Sequence, residues 1–184
     1  MDLSKAFDCM PHSLLIAKLY AYGMGRQAVE IFASYLTGRL QRVKLQTAES
    51  EWVQAIKGVP QGSILGPILF NIFVNDLFGF IKKADLSNYA DDNQLSAIHD
   101  NLDTAIKMSK SESEVAIEWF SSNHMEANAS KFHHMLITPA RSVPDYEVVI
   151  DDSVIEREDF VKLLGVNIDD KPVSYTHLTL PTKA

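Results

Sequence analysis

The stretch that most limits the possible folds is residues 64–77, where Ile64, Leu65, Ile68, Leu69, Ile72, Phe73 and Leu77 recur at helical spacing. A helix with this much apolar surface must be covered on most sides, so the rest of the chain has to build layers around it. Pro67 falls near the first turn, where backbone donors lack helical partners, and is compatible with that helix. Residues 64–81 are also the longest membrane candidate, but Pro67, Asn71, Asn75 and Asp76 interrupt them. No run approaches the ~20 apolar residues of a membrane span, so no membrane partner is expected.

Around this helix the periodicity keeps changing. Residues 1–8 read as a strand end entering a turn. Pro11 and His12 open a helix with Leu14, Leu15, Lys18, Leu19 and Tyr22 on one face and Gly23 as its stop. Residues 27–36 form a second helix ended by Gly38, and residues 41–46 and 52–57 read as two strands bridged by polar residues. Residues 86–89 and 94–98 predict a hairpin around Ala90-Asp91-Asp92-Asn93, and residues 102–120 a long helix with Ala105, Ile106, Val115, Ile117 and Trp119 inward. Short strands are predicted at 135–138, 147–150 and 160–168. Phe7, Trp52, Trp119 and Phe120 read as core aromatics. Antiparallel pairs interleaved with helices favour an α+β fold over a doubly wound parallel sheet.

The chain has 184 residues, 46% of them hydrophobic and 22% charged, which suits one globular domain or a large piece of one. Cys9 is the only cysteine, so an internal disulfide is excluded, and His124, His133 and His134 make no zinc pattern with it. No signal peptide is recognisable. The net charge of -7 is unfavourable for phosphate partners, but it is unevenly spread. Residues 1–60 hold seven Lys/Arg against five Asp/Glu, and the remainder holds ten against nineteen.

Three carboxylates stand out: Asp2, Asp91 and Asp92. One at a strand end and two in a hairpin turn would suffice to hold Mg²⁺, which usually takes one or two carboxylates plus substrate phosphates. Two such ions roughly 3.5–4 Å apart serve nucleotidyl transfer by aligning the attacking oxygen and stabilising the leaving one. Taken alone, Asp91-Asp92-Asn93 is equally ordinary turn chemistry. Gly62 and Gly66 permit close backbone approach, and the helix start after them offers free N–H groups. That loop lacks the lysine of a P-loop, and Ser63 capping a strand-to-helix turn explains it as well.

Read in order, Asp2-Leu3-Ser4-Lys5-Ala6-Phe7-Asp8, then Gly58-Val59-Pro60-Gln61-Gly62-Ser63-Ile64-Leu65-Gly66-Pro67 through Asn75-Asp76-Leu77, then Tyr89-Ala90-Asp91-Asp92, resemble the reverse transcriptases of non-LTR (LINE-like) retrotransposons. Residues 119–131 and Lys162-Leu163-Leu164-Gly165-Val166 fit the next two family motifs, so the resemblance covers about residues 1–170. It implies a palm domain with a ferredoxin-like antiparallel sheet and packed helices, in an RNA-directed DNA polymerase. It also implies roles: Asp2, Asp91 and Asp92 as catalytic ligands of two Mg²⁺ ions, with Mn²⁺ as a substitute. Phe7 would lie under the incoming sugar, Gln61 and Gly62 against dNTP and template, and Lys131 would act as general acid toward pyrophosphate. Leu164 and Gly165 would form the primer grip. The implied partners are an RNA template, a DNA primer and dNTPs, with fingers, most of the thumb and an endonuclease domain lying in a longer protein. The setting would be intracellular, nuclear for an active element.

The match begins at the first catalytic aspartate, and the fingers cations that would compensate triphosphate charge are not in it. The isolated fragment, residues 1–171, is therefore expected to be inactive. Residues 172–184 continue no pattern and look like a translated sequencing adapter, since codons such as GTC TCT TAT ACA CAT CTG would give residues 173–178; a non-native, disordered tail is expected there. Two other readings stay open at this point. One is a non-catalytic nucleic-acid-binding or assembly remnant of a retroelement. The other is a different two-metal enzyme, such as a cyclase, on a similar scaffold.

Overall fold

The computed structural model describes residues 1, 3–140, 143 and 145–171. The suspected adapter segment and Asp2 lie outside the described residues. The main core forms where α2 (His12–Ala21), α3 (Arg26–Leu36) and α4 (Leu65–Val74) meet α6 (Leu102–Ser122). Leu15, Leu19, Leu36, Leu69, Phe70, Phe73 and Phe120 are completely buried in it, and Trp119 meets Phe120 edge to face. Each fully buried side chain of this size contributes roughly 1.5–3 kcal/mol.

One cation enters this core. Lys18 shares the apolar face of α2, and its ammonium lies 4.4 Å from the Phe73 ring centre and 4.5 Å from that of Trp119. It donates to the Phe73 carbonyl at 2.8 Å and to the two Asp76 oxygens at 2.7 and 3.0 Å, so its three protons are used. Burial lowers its pKa from the usual lysine value, while the hydrogen bond and charge of Asp76 oppose that shift.

The sheet is made of short pieces. β6 (Asp85–Tyr89) and β7 (Asp92–Ser96) form an antiparallel hairpin, and β1 (Leu3–Ser4) pairs antiparallel with β8 (Glu126–Ala127). Met1 joins the two pairs. Its nitrogen donates to the Asn93 carbonyl at 2.7 Å, and the Asn93 N–H donates back to the Met1 carbonyl at 3.2 Å. This exchange is that of an antiparallel hydrogen-bonded pair. The spatial order is thus β6, β7, the β1 segment, β8. Helix α6 packs on β7, β8 and β9. Asn101 starts it by accepting from the Thr104 N–H at 3.0 Å.

A smaller cluster follows: Phe132 with Val148, Ile150 and Ile155 of the hairpin β9 (Val148–Ile150) and β10 (Ser153–Ile155). Beyond it lies the hairpin β11 (Phe160–Leu163) and β12 (Val166–Asp169).

Several expectations change. The long helix breaks after Val74, and α5 (Leu77–Phe80) begins anew; Asp76 at the break is turned to Lys18. The strands expected at 41–46 and 52–57 become four two-residue strands, β2 (Leu40–Gln41), β3 (Lys44–Leu45), β4 (Ala48–Glu49) and β5 (Val53–Gln54). They form two nested ladders, β2 with β5 and β3 with β4, in an arm whose strand residues are all exposed. Trp52, read as a core aromatic, is 56% exposed there and stacks under Arg42 instead. The single strand expected at 160–168 is a hairpin because Leu164 and Gly165 both take positive φ. Residues 135–138 form no strand; only His134 bridges, to Arg157.

Candidate active site

The Tyr89-Ala90-Asp91-Asp92 segment is the tip of the β6–β7 hairpin. Tyr89 pairs with Asp92, leaving Ala90 and Asp91 as a two-residue loop. Ala90 has φ +53°, the left-handed conformation such loops require at their first position, here without the usual glycine. Two asparagines hold the loop. Asn88 donates to the Ala90 carbonyl at 3.0 Å and to the Asn93 side-chain oxygen at 2.7 Å. Asn93, 4% exposed, donates to the Asp91 carbonyl at 2.9 Å. Both Asn93 amide atoms are therefore committed to the loop while its backbone pairs with Met1. The sequence presents Asn93 as a turn residue and gives Asn88 no evident role. The available signal was an asparagine on each strand at the inward register of a period-2 hairpin.

Asp91 is half-buried and Asp92 exposed, and neither has a cation partner among the described residues. Two adjacent carboxylates without a lysine or arginine are a hard-oxygen donor pair that suits Mg²⁺ or Mn²⁺ together with substrate phosphates. No cluster of three or more metal-ligating side chains occurs among the described residues. Asp2 lies outside them, while its neighbours Met1 and Leu3 pair with Asn93 and Ala127.

A second group assembles around Phe7. The short helix α1 (Ala6–Cys9) and the start of α2 are stitched to residues 57–59. The Gly58 N–H donates to the Met10 carbonyl at 2.7 Å, and the Val59 N–H to the Phe7 carbonyl at 2.9 Å. The buried His12 donates from Nε2 to the Gly58 carbonyl at 2.7 Å, since a carbonyl can only accept. Gly58 has φ +79°, and a Cβ there would lie 2.8 Å from the Asp8 Cα, so only glycine fits. Phe7 stacks on Phe70, ring centres 4.5 Å apart at 28°. The Gln61 amide donates to both Asp8 oxygens, at 3.1 and 3.2 Å. Its side-chain oxygen is left as the group a ligand would meet. Gly62 follows with φ +78°, and Ser63 Oγ accepts from the Gly66 N–H at 3.0 Å, capping the turn as the sequence suggested. Asp8, which no sequence argument singled out, is what orients Gln61.

The remaining candidates sit elsewhere. Lys131 ends the 3-10 turn Ala129–Lys131 after β8 and is exposed, and β1 separates β8 from the hairpin that carries Asp91. Leu164 and Gly165 form the two-residue loop of β11–β12, with φ +49° and +85°. That hairpin is tethered by the Asp170 N–H to the Asp159 carbonyl and by Arg157 to Asp170.

Residues 1–168 match the family model described as reverse transcriptase (RNA-dependent DNA polymerase). Among similar proteins, the probable RNA-directed DNA polymerase from transposon X-element of Drosophila melanogaster is 28% identical over 97% of this chain and 20% of its own length. The RNA-directed DNA polymerase from mobile element jockey of Drosophila funebris is likewise 28% identical over 97% of this chain and 20% of its own. The Pol polyprotein from retrotransposable element R2 of Popillia japonica is 27% identical over 42% of this chain and 13% of its own. The chain thus spans about a fifth of the length of the first two relatives. With nearly all of its described residues inside the matched segment, the chain belongs to the reverse transcriptase family.

Proposed function

We propose that this chain is the palm portion of an RNA-directed DNA polymerase of the LINE-like kind, transferring a nucleotide from a dNTP to a primer 3′-hydroxyl on an RNA template. The observation that carries this reading is the backbone pairing of Met1 with Asn93, next to Asp92 at the hairpin tip. It sets Met1 against the strand that begins at Asp92, while Leu3 pairs with Ala127 on the other side. The strand order β6, β7, β1, β8 with α6 behind it supports a ferredoxin-like palm.

In this reading Asp91, Asp92 and Asp2 would hold two Mg²⁺ ions, with Mn²⁺ as a substitute. Such ions supply charge for the phosphates and align the attacking and leaving oxygens. The protein's own part is positioning. Asn88 and Asn93 hold the backbone of the loop that carries Asp91, which limits reorganisation of the loop during the transfer. Phe7, which stacks on Phe70, would form a flat apolar floor for the incoming sugar and disfavour a 2′-hydroxyl there. Gln61 and Gly62 contact nucleotide and template, with the Gln61 oxygen presented as an acceptor. Lys131 protonates pyrophosphate, and Leu164 and Gly165 grip the primer. In this reading the segment 1–171, which spans about a fifth of the length of the first two relatives, would be inactive by itself.

The test is RNA-templated primer extension with Mg²⁺ by a polymerase whose chain includes this segment. Asp91→Ala is expected to abolish extension while leaving folding intact, and full activity in that variant would sink the assignment.

A further inference from the structure

The Asp8 side chain does something that folding does not require of it. Both Asp8 and Gln61 are exposed. The Asp8 backbone is placed without the carboxylate: its N–H donates to the Lys5 carbonyl at 2.9 Å, and its Cα lies against Gly58. Lys5, Arg39 and Lys57 line the same cleft as Asp8, yet among the described residues it forms an ion pair with none of them. Its two oxygens instead accept from the Gln61 amide, at 3.1 and 3.2 Å, across 53 residues of chain. A hydrogen bond between two exposed side chains adds little to stability, because water replaces it readily.

The contact has a directional effect that an ion pair would lack. The two ends of an amide are alike in shape and opposite in chemistry, one donating and one accepting. A carboxylate only accepts, so Asp8 takes the nitrogen end and turns the oxygen end away. The backbone of the loop is set separately, by the bonds from the Gly58 and Val59 N–H groups to the Met10 and Phe7 carbonyls. Position and sense are thus fixed by different groups. The stitching to α1 places the loop, and Asp8 decides which end of Gln61 faces outward.

We propose that Asp8 is a positioning residue, which acts through Gln61 by holding its amide with the acceptor toward the incoming nucleotide. At that point a ligand hydroxyl or amine is favoured over a phosphate oxygen. The identity of the ligand rests on the polymerase reading; the control of Gln61 by Asp8 is the new element.

The test is primer extension at varied dNTP by a polymerase whose chain includes this segment. Asp8→Asn keeps the shape of the side chain but can meet either end of the Gln61 amide. It is expected to raise the dNTP KM about three- to tenfold, the size of one hydrogen bond, and to leave kcat within about twofold. A role confined to folding lowers the active fraction instead, and with it kcat at constant KM. Gln61→Ala should raise KM similarly, and Asp8→Asn should add nothing in that background. Gln61→Glu sets two carboxylates against each other. Adding Asp8→Asn gives the new carboxylate a donor and should recover at least about threefold of the lost kcat/KM. An unchanged KM in Asp8→Asn, additive losses with Gln61→Ala, or no recovery with Gln61→Glu overturns the proposal. Those results leave the polymerase reading intact where Asp91→Ala abolishes extension. Extension by Asp91→Ala overturns that reading and this proposal with it.

Discussion

The α2–α4–α6 core and the β2–β5 arm are built from similar residue types and have opposite fates. In the core, Leu15, Leu19, Leu69 and Phe73 lose all contact with water, and even Lys18 is drawn in and satisfied. In the arm, Val43, Leu45, Val53 and Ile56 are each 60% or more exposed, and its order comes from short ladders and from the pairing of Glu49 with Arg42 and Lys44. Apolar patterning states which face of an element can be buried. Whether it is buried depends on another layer reaching it.

That contrast can be broken most directly at two side chains. Phe73→Ala should cost about 3–5 kcal/mol, from lost burial and the cavity left among Lys18 and Trp119. Leu45→Ala should stay within about 0.5 kcal/mol. Urea unfolding of both variants checks this, and a comparable loss at Leu45 would mean that the arm is packed in solution. Two glycines sharpen the same point at the level of backbone. Gly58→Ala meets both a positive φ and the Asp8 backbone and should cost about 2–4 kcal/mol. Gly23 has a similar φ, +84°, but open space around it, so Gly23→Ala should cost only about 1–2 kcal/mol. Equal costs would show that the stitching of residues 57–59 to α1 contributes nothing.

A smaller effect is expected where charge enters the core. Asp76→Ala strands the Lys18 ammonium and should cost about 2 kcal/mol, below the range for a fully buried pair because water still reaches Asp76. Lys18→Met should cost about 1 kcal/mol, since the freed carboxylate can hydrate. The reverse ranking in thermal melts would assign the main role to Asp76 instead.

The smallest effect belongs to the second cluster. Burial, followed by the charge of Arg157, lowers the His134 pKa from its usual 6.5, and its Nε2 lies 2.9 Å from the Tyr146 hydroxyl. Below pH 6.5 the unfolded histidine takes up a proton that the folded one resists, so stability falls as pH drops through that window. Urea midpoints at neutral and mildly acidic pH should separate in the wild type and separate less in His134→Phe. An unchanged separation would place the pH sensitivity on other groups.

Much of this architecture is legible in the sequence where period and punctuation agree. Helices ending at Gly23 and Gly38, the hairpin around Ala90-Asp91 and the Ser63-capped loop are local features, and local rules read them. The rest depends on residues distant in the chain. Nothing near Lys18 announces Asp76, and nothing near Gln61 announces Asp8. Trp52 looks like a core residue because large aromatic side chains are usually buried, but the arm has no opposing layer among the described residues to cover it. The break at residues 75–76 is not legible because the apolar spacing runs straight across it, and the Asp76 side chain there pairs with Lys18, distant in the chain.

Asn93 carries a consequence for how the molecule would respond to force. Its backbone clasps Met1 and its side chain clasps the Ala90-Asp91 loop, so the two are geared to one another through a single residue. A displacement of the first strand along its axis cannot be absorbed by slack at the hairpin tip. It must either tilt the loop or break a clasp. Tension on the first strand would therefore reach the Ala90-Asp91 loop through Asn93.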